Sequence, residues 1–264
     1  MALSQADLKK LKQLQQKKFR QEQGRLLIEG TRLVREALSS RAEILEVFHT
    51  RDFEAAEAGA QLLGKLAANA GRIVPVTSRE LDAFTETVHA QGVAAVVLFQ
   101  TVSPEALLQK RGSPGVLVAI DAVSDPGNLG SMIRTCDWFG VAGLMLGRNS
   151  VELLNPKVVR GTMGSLFHLP VAVDVDLLSA LSRAKELGYS VYVTDVHGET
   201  HFDHVRYSDR SILVFGNEAW GVSDQILQLA DTRLTIRRYG SAESLNVGVA
   251  CGVVLSAIHR LRHE

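Results

Sequence analysis

The segment LTIRRYGSAESLNVGVACGVVL, residues 234–255, contains the pattern on which the fold depends. A short apolar stretch is followed by a polar loop, and then by an apolar helical pattern that carries Gly248 and Gly252. A glycine inside a helix costs about 1 kcal/mol relative to alanine. Because Gly248, Gly252 and Ser256 recur every four residues, they share one face of the helix, where small side chains allow close approach of another segment.

The same alternation of strand and helix extends over the chain from residue 116 onward. The predicted strands are 116–121, 142–146, 189–194, 211–215 and 232–236. The predicted helices are 128–139, 156–163, 176–187, 223–229 and 245–262. Alternating strands and helices imply a parallel sheet that is covered on both faces.

The first hundred residues predict a separate and smaller α/β domain. Its predicted helices are 4–18, 31–38, 53–69 and 77–84, and its predicted strands are 25–29, 44–49, 73–76 and 93–99. A segment rich in proline and glycine follows it and predicts a linker. The sequence thus predicts domains at 1–100 and 116–264, joined by a linker at 101–115.

The composition is that of a globular protein, with 46% hydrophobic and 22% charged residues. The longest apolar runs are too short to cross a bilayer, and the N-terminal residues lack the apolar core of a signal peptide. Cys136 and Cys251 lie in apolar helical patterns, which indicates reduced, buried thiols. These features predict a cytoplasmic protein with no membrane segment.

The net charge of zero hides a basic region near the N-terminus. Residues 1–35 contain nine basic residues against three acidic ones, a local charge of +6. A basic end on a neutral protein indicates binding to a polyanion such as RNA. A solvated helix face is the alternative interpretation of the same charges.

Three loops that follow predicted strands combine glycine with polar side chains. They are residues 121–130, 216–221 and 237–246. Because the carboxyl ends of parallel strands form the usual ligand site of such sheets, Asn128, Arg134, Glu218 and Ser244 are candidate site residues. Each also has a structural alternative: Asn128 and Ser244 as helix caps, Arg134 in a surface ion pair, and Glu218 in a solvated turn.

Several standard sites are absent from the sequence. No G-x-G-x-x-G follows a strand, and neither a Walker A motif nor a G-x-S-x-G elbow occurs. His197, His201 and His204 have a spacing that could ligate zinc, with Asp195 and Asp203 nearby. A glycine interrupts this segment, so solvated loop histidines are favoured and no metal is predicted.

The three loops resemble the motifs of the SpoU (TrmH) family of RNA 2′-O-ribose methyltransferases, within the SPOUT class. DPGNLGSMIRTCDWFG (125–140) is similar to the first motif, LVFGNEAWGVS (213–223) to the second, and LTIRRYGSAESLNVGVACGVVL (234–255) to the third. The segment KVVRGTMGSLFHLP (157–170) resembles the region between the motifs. LQQKKFRQEQGRLLIEGTRLVREAL (14–38) is similar to the RNA-binding domain often fused in front.

This resemblance implies an α/β fold whose parallel sheet ends in a C-terminal trefoil knot, preceded by a small α/β RNA-binding domain. It implies a homodimer with each active site near the subunit interface. It implies RNA as the substrate, with ribosomal RNA favoured over transfer RNA. A non-catalytic RNA- or ribosome-binding protein of the same fold, and an α/β enzyme for a small molecule, are the alternatives.

The resemblance also implies S-adenosyl-L-methionine as the cofactor, held mostly by backbone groups. The implied cofactor-binding residues are Gly216, Asn217, Ile236, Leu245 and Asn246. The implied catalytic residues are Arg134, Asn128, Glu218, Ser244 and Asn246. Arg134 would assist loss of the hydroxyl proton, either as a base or only through its charge. The electrostatic role is favoured, because arginine is not normally deprotonated in proteins. Members of the family often have proline after the last strand, whereas this sequence has Arg237 and Arg238 there. The two arginines would either contact a phosphate or form a structural salt bridge.

Overall fold

The computed structural model describes residues 3–40, 42–86, 91–109 and 115–263. For residues 261–263 it describes the backbone only. Residues 110–114 of the predicted linker lie outside the described residues. The chain divides into two compact units. Unit 1 contains residues 1–100 and Leu154–His168, and unit 2 contains Thr101–Leu153 and residues 169–264. None of the described helices has the length and apolarity that crossing a bilayer requires.

Helices and strands alternate along the chain. The helices are α1 (Gln5–Gln13), α2 (Lys17–Gln23), α3 (Thr31–Ser39), α4 (Arg51–Ala55), α5 (Glu57–Leu66), α6 (Ser78–Asp82), α7 (Pro104–Leu108), α8 (Pro126–Trp138), α9 (Pro156–Thr162), α10 (Leu177–Glu186), α11 (Asp224–Leu229) and α12 (Val247–His263). The strands are β1 (Arg25–Glu29), β2 (Ile44–His49), β3 (Ala70–Pro75), β4 (Val93–Leu98), β5 (Val116–Ile120), β6 (Gly143–Gly147), β7 (Val171–Val175), β8 (Ser190–Thr194), β9 (Thr200–His201), β10 (Ser211–Phe215) and β11 (Thr232–Thr235).

Unit 1 contains a mixed sheet in the order β1-β4-β2-β3, with β4 antiparallel to both neighbours and β2 parallel to β3. The helix predicted over 4–18 is divided into α1 and α2. Arg20 explains the break, because its buried guanidinium donates to the backbone oxygens of Leu14 at 2.9 Å and Gln15 at 2.6 Å. Arg20 therefore stabilises the domain and is not part of the exposed basic surface.

Unit 2 contains a sheet in the order β7-β6-β5-β10-β8-β11-β9, and every pair of neighbours is parallel. This confirms the predicted parallel sheet. Alternate residues of β5 and β10 point to opposite faces and are all but one buried, so both faces are covered. The sequence prediction missed β7 and β9, because β7 is an edge strand interrupted by Asp174 at φ 55° and β9 has only two residues.

A short helix occupies part of the predicted linker. The Ser103 side chain caps α7, and Pro104 occupies its first turn. Leu107 and Leu108 are buried in the core of unit 2. Unit 2 therefore begins before residue 116, because apolar side chains of this segment pack with its sheet.

Helices α8 and α12 pack against each other through small residues. A Cβ atom on Gly248 would lie 3.2 Å from Oδ1 of Asn246 and 3.6 Å from Cβ of Ser131. At Gly252 the nearest atom would be Cγ2 of Thr135 at 3.8 Å, an ordinary contact. The tight contact at Gly248 is with the cap of its own helix, and both glycines lie at ordinary contact distance from α8, so the expected very close approach of another segment is not found within this chain.

The two cysteines lie on these same helices. Cys136 and Cys251 are both free and fully buried, as predicted. Burial raises the pKa of the Cys136 thiol well above its ordinary value, and the neighbouring Cys251 raises it further. The Cys136 side chain is therefore a neutral core residue in this structure.

Candidate active site

The loops that follow β5, β10 and β11 lie at one edge of the parallel sheet. These three strands belong to one sheet in which β10 pairs with β5 and β8, and β8 pairs with β11. Because all of them are parallel, their carboxyl ends meet at the same edge. The three loops that the sequence singled out therefore converge.

Asn128 joins the three loops through its side-chain amide. Its Nδ2 donates to Oε1 of Glu218 at 2.9 Å, and its Oδ1 accepts from Nδ2 of Asn246 at 2.8 Å. Oδ1 of Asn246 in turn accepts from the backbone N–H groups of Gly248 at 2.9 Å and Val249 at 3.3 Å. We call Glu218, Asn128 and Asn246 the carboxamide network, and partners on both sides fix the orientation of each amide.

Glu218 anchors one end of this network. Its Oε1 also accepts from the backbone N–H of Asp125 at 3.1 Å, and its Oε2 accepts from both the N–H and the hydroxyl of Ser124 at 3.2 Å. Partial burial has the largest single influence on the Glu218 pKa and raises it, but hydrogen bonds from Asn128 and from nearby backbone N–H groups outweigh it. The pKa therefore lies below its ordinary value, and the group is ionised at neutral pH.

Replacement of Glu218 by glutamine is expected to weaken the network, because the new NH₂ group cannot accept from the donors that face it. At neutral pH the loss should lower the free energy of unfolding by about 1 kcal/mol. The folded-state pKa is depressed, so the stabilisation by ionised Glu218 is present above the unfolded-state pKa and is lost as pH falls through the folded-state pKa.

Thermal melts of wild type and Glu218→Gln, compared between about pH 7 and about pH 3, measure this difference. The two melting temperatures should converge in acid. A gap that stays constant over this range would contradict the role of the ionised carboxylate.

The turn after β10 is held from both sides. Its backbone closes on itself through hydrogen bonds of 2.9 and 3.0 Å between Asn217 and Gly221. The buried Asn217 side chain donates to the oxygen of Ala122 at 2.7 Å and accepts from the N–H of Ala219 at 2.8 Å. A Cβ atom on Gly216 would lie 2.1 Å from the carbonyl carbon of Gly221, so only glycine fits there.

The loop between β11 and α12 leaves its peptide groups available. Within the described residues, no backbone group of residues 237–245 is hydrogen-bonded to another backbone group. Arg238 donates to the oxygen of Ala242 at 3.4 Å, a contact inside the loop. Ile236 is half-buried at the start of this loop, and Leu245 is 47% exposed at its end. Free peptide groups beside apolar side chains fit a cofactor that is held mainly by the backbone.

Two helix caps differ from those considered from the sequence. Asp125 caps α8 by accepting from the N–H of Asn128 at 2.7 Å, so the Asn128 side chain is available to the network. Asn246 caps α12, whereas Ser244 is exposed and forms no hydrogen bond with the described part of the chain. The Asp-Pro pair that opens α8 was the available signal, because aspartate is favoured at an N-cap and proline in the next position. No sequence signal marked Ser124.

Arg134 lies on the exposed side of α8. Its guanidinium forms neither a hydrogen bond nor an ion pair with any residue that the structure describes. The hydrogen bonds of Glu218 and Asn128 go to other groups. Within one chain, therefore, neither of them orients Arg134.

The histidine-rich segment after β8 forms no group of three metal ligands among the described residues. His201 lies in β9, and its Nδ1 is 2.7 Å from Oδ1 of Asp203. Its side chain is only 16% exposed, whereas His197 and His204 are exposed. The interpretation as solvated loop histidines is therefore wrong for His201, because β9 adds to the edge of the sheet beside β11.

Comparison with known proteins covers nearly the whole chain. The SpoU rRNA Methylase family matches residues 115–256, and the MRM3-like substrate binding domain matches residues 5–95. The 23S rRNA (guanosine(2553)-2′-O)-methyltransferase RlmP of Bacillus subtilis is 36% identical over 251 residues, with 94% of each chain covered.

Solved structures agree with these sequence matches. The structure of an AdoMet-bound rRNA methyltransferase from Sinorhizobium meliloti is 27% identical, with a TM-score of 0.85 over 98% of this chain and 97% of that one. The A. aeolicus TrmH/SpoU tRNA modifying enzyme is 30% identical, with a TM-score of 0.51. That comparison covers 61% of this chain and 81% of the other.

Proposed function

The chain belongs to the SpoU rRNA methylase family, and from this membership we infer that it is an enzyme that methylates a ribose 2′-hydroxyl of ribosomal RNA with S-adenosyl-L-methionine as cofactor. The observation that carries the proposal is the carboxamide network, in which three loops meet at the ligand-binding edge of a parallel sheet. The 36% identity to a relative named a 23S rRNA methyltransferase favours an enzyme over a non-catalytic RNA-binding protein. Transfer RNA is the second candidate substrate, but the tRNA-modifying relative covers only 61% of this chain.

The cofactor would be held by the turn after β10 and by the loop before α12. Gly216 and Asn217 form the buried part of the turn, and Ile236 and Leu245 border the loop. The uncommitted peptide groups between them support binding through the backbone. When bound, S-adenosyl-L-methionine supplies an electrophilic methyl group on a sulfonium. Asn246 contributes by fixing the start of α12, because its Oδ1 accepts from the N–H groups of Gly248 and Val249.

We assign two tasks to the protein's own residues: they position the ribose, and they stabilise the negative charge that develops on its 2′ oxygen. A hydroxyl is a weak nucleophile until it loses its proton. Arg134 is a cation with no internal partner among the described residues, so it is available to stabilise the forming alkoxide electrostatically. Asn128 and Glu218 hold the loops that shape the site, and Ser244 lies exposed beside them, available to the substrate.

The RNA-binding domain is assigned to residues 1–100 and the methyltransferase domain to residues 116–264, preceded by the segment 101–115, whose helix α7 packs in the core of unit 2. The matches at 5–95 and 115–256 support this division. Basic side chains that are exposed in unit 1 support binding of the phosphate backbone; they are Lys9, Lys10, Lys12, Lys17, Lys18, Arg25, Arg32 and Arg35.

Charge reversal at Lys9 and Lys12 is expected to weaken RNA binding while cofactor binding stays unchanged. Each lost phosphate contact should reduce the slope of log affinity against log salt by about 0.7 to 0.9. Filter binding of ribosomal RNA by Lys9→Glu/Lys12→Glu protein over a series of salt concentrations measures the slope. The control is Lys65→Glu, a basic residue of α5 outside the basic N-terminal region. An unchanged slope in the double variant would contradict a role of this surface in RNA binding.

The enzyme is also assigned a homodimeric state and a C-terminal trefoil knot, as the family resemblance implies. The exposed position of Arg134 supports the dimer, because a catalytic cation without a partner in its own chain can complete a site near the subunit interface. The knot is proposed from the family resemblance alone. The protein is also assigned to the cytoplasm. A ribosomal RNA substrate and two free, buried thiols support this localisation.

Mapping of ribose methylation in RNA from cells that lack this protein tests the proposal. One 2′-O-methyl group of ribosomal RNA should disappear and return when the wild-type gene is restored. Calorimetric titration with S-adenosylhomocysteine should show binding by the folded protein. Unchanged ribosomal RNA, together with no detectable binding, would refute both the substrate and the cofactor.

A further inference from the structure

The chain contains only two tryptophans, and both are exposed at the surface of unit 2. Trp220 is 69% exposed and lies in the turn after β10, two residues beyond Glu218. We propose that Trp220 is a stacking platform for a base of the substrate RNA, next to the ribose that is methylated. This inference rests on the function proposed above and adds a substrate-positioning residue to it.

The turn that carries Trp220 is rigid. Asn217 and Gly221 exchange two backbone hydrogen bonds across it, and Gly221 has a φ of 74°, which favours glycine. The Asn217 side chain ties the turn to Ala122 on the loop after β5. A large aromatic side chain that is held outward on a fixed backbone is typical of a binding surface, because little backbone order is lost when a partner docks.

The position of Trp220 places it within reach of the reaction site. Two residues span at most about 7 Å of chain, so its Cα lies close to that of Glu218. The Glu218 side chain turns toward Ser124 and Asn128, whereas that of Trp220 is exposed to solvent. One turn thus contributes both to the network and to the adjoining surface.

The neighbouring loop supplies the other groups that single-stranded RNA requires. Arg237, Arg238 and Tyr239 are consecutive and exposed, and Tyr239 is 88% exposed. Arg237 forms no ion pair with the described residues, so it is available for a phosphate. Proteins that hold single strands combine cations for the backbone with aromatic faces for the bases. Two adjacent arginines with no carboxylate partner among the described residues favour a polyanion such as RNA over a second protein surface.

Because the sequence has only two tryptophans, fluorescence of single-tryptophan variants tests the proposal directly. In Trp138→Phe protein the only indole is that of Trp220, and stacking on a base should quench its emission when a short oligoadenylate is added. Trp220→Phe protein, which keeps Trp138, is the matched control and should show no quenching. Trp138 is suitable because it lies ten residues after Asn128 along α8, or about 15 Å from it.

Kinetics separate stacking from a merely structural role. Trp220→Ala should raise the KM for unmethylated ribosomal RNA about tenfold, the effect of losing one stacked base, with little change in kcat. Trp220→Phe should recover most of the loss and Trp220→Leu should not, because leucine has no aromatic face. Trp138→Ala should behave as wild type.

Other outcomes would overturn the inference while leaving the proposed function intact. Weaker binding of S-adenosylhomocysteine by Trp220→Ala would assign the indole to the cofactor. A shift of this variant from dimer to monomer would assign it to a protein interface. Wild-type KM in Trp220→Ala, with wild-type protein active, would exclude any role in RNA binding. Failure of wild-type protein to methylate ribosomal RNA would instead refute the function, whatever the quenching result.

Discussion

Arg134→Ala protein is expected to fold normally, to bind S-adenosylhomocysteine as wild type does, and to lose methyl transfer by at least about 100-fold. Loss of a single charge-stabilising group at a developing oxyanion has effects of this size. Folding should be unaffected because Arg134 is exposed and forms no ion pair in the described part of the chain. The measurement is single-turnover methylation of unmethylated ribosomal RNA, with thermal melts and calorimetry on the same preparation.

Arg183→Ala is the matched control. Arg183 is an exposed arginine of α10 whose ion pair with Glu186 stays within its own helix, so its loss should leave the rate unchanged. If Arg134 acts across the dimer, mixing Arg134→Ala with Asn128→Ala subunits should restore part of the activity. An active Arg134→Ala enzyme would contradict the assigned role of this side chain.

Gly216→Ala is expected to have the largest effect on the cofactor site. The added Cβ would lie 2.1 Å and 2.4 Å from the carbonyl group of Gly221 and 2.2 Å from the nitrogen of Val222. These are backbone atoms that no rotamer change can move, so the turn must open. We expect the free energy of unfolding to fall by about 3 kcal/mol, and the affinity for S-adenosylhomocysteine to fall at least about tenfold, because the binding turn is displaced.

Urea unfolding and calorimetric titration measure the two effects of Gly216→Ala. Gly64→Ala is the control, since a Cβ at Gly64, in α5, would meet no atom within 4 Å. Unchanged unfolding together with unchanged affinity in Gly216→Ala would show that the turn can relax without loss of its function.

The sequence predicted the elements of unit 2 well because their signals are local. The strand at Ser211–Phe215 is a continuous apolar run, and its predicted bounds match the structure. The convergence of the loops after β5, β10 and β11 also followed from local patterns, because alternating strands and helices imply a parallel sheet and hence one common edge.

The contacts inside the site could not be predicted, because they depend on pairs that are far apart in the chain. Asn128 is 90 residues from Glu218 and 118 from Asn246. Nothing near Asn128 in sequence distinguishes a helix cap from a bridge between two loops. The exposed position of Arg134 depends on the rotation of α8, which packing decides. Similarly, the break between α1 and α2 depends on a buried guanidinium, and Arg20 reads in sequence as one more surface cation.

The long sequence separations within the carboxamide network also set an order of events during protein synthesis. Asn128 leaves the ribosome long before Asn246, yet it is hydrogen-bonded to Asn246 in the native state. Loop closure over such distances is slow relative to local helix formation. The nascent enzyme therefore stays inactive, with its strand edges exposed to aggregation and chaperones, until the chain has been translated beyond Asn246.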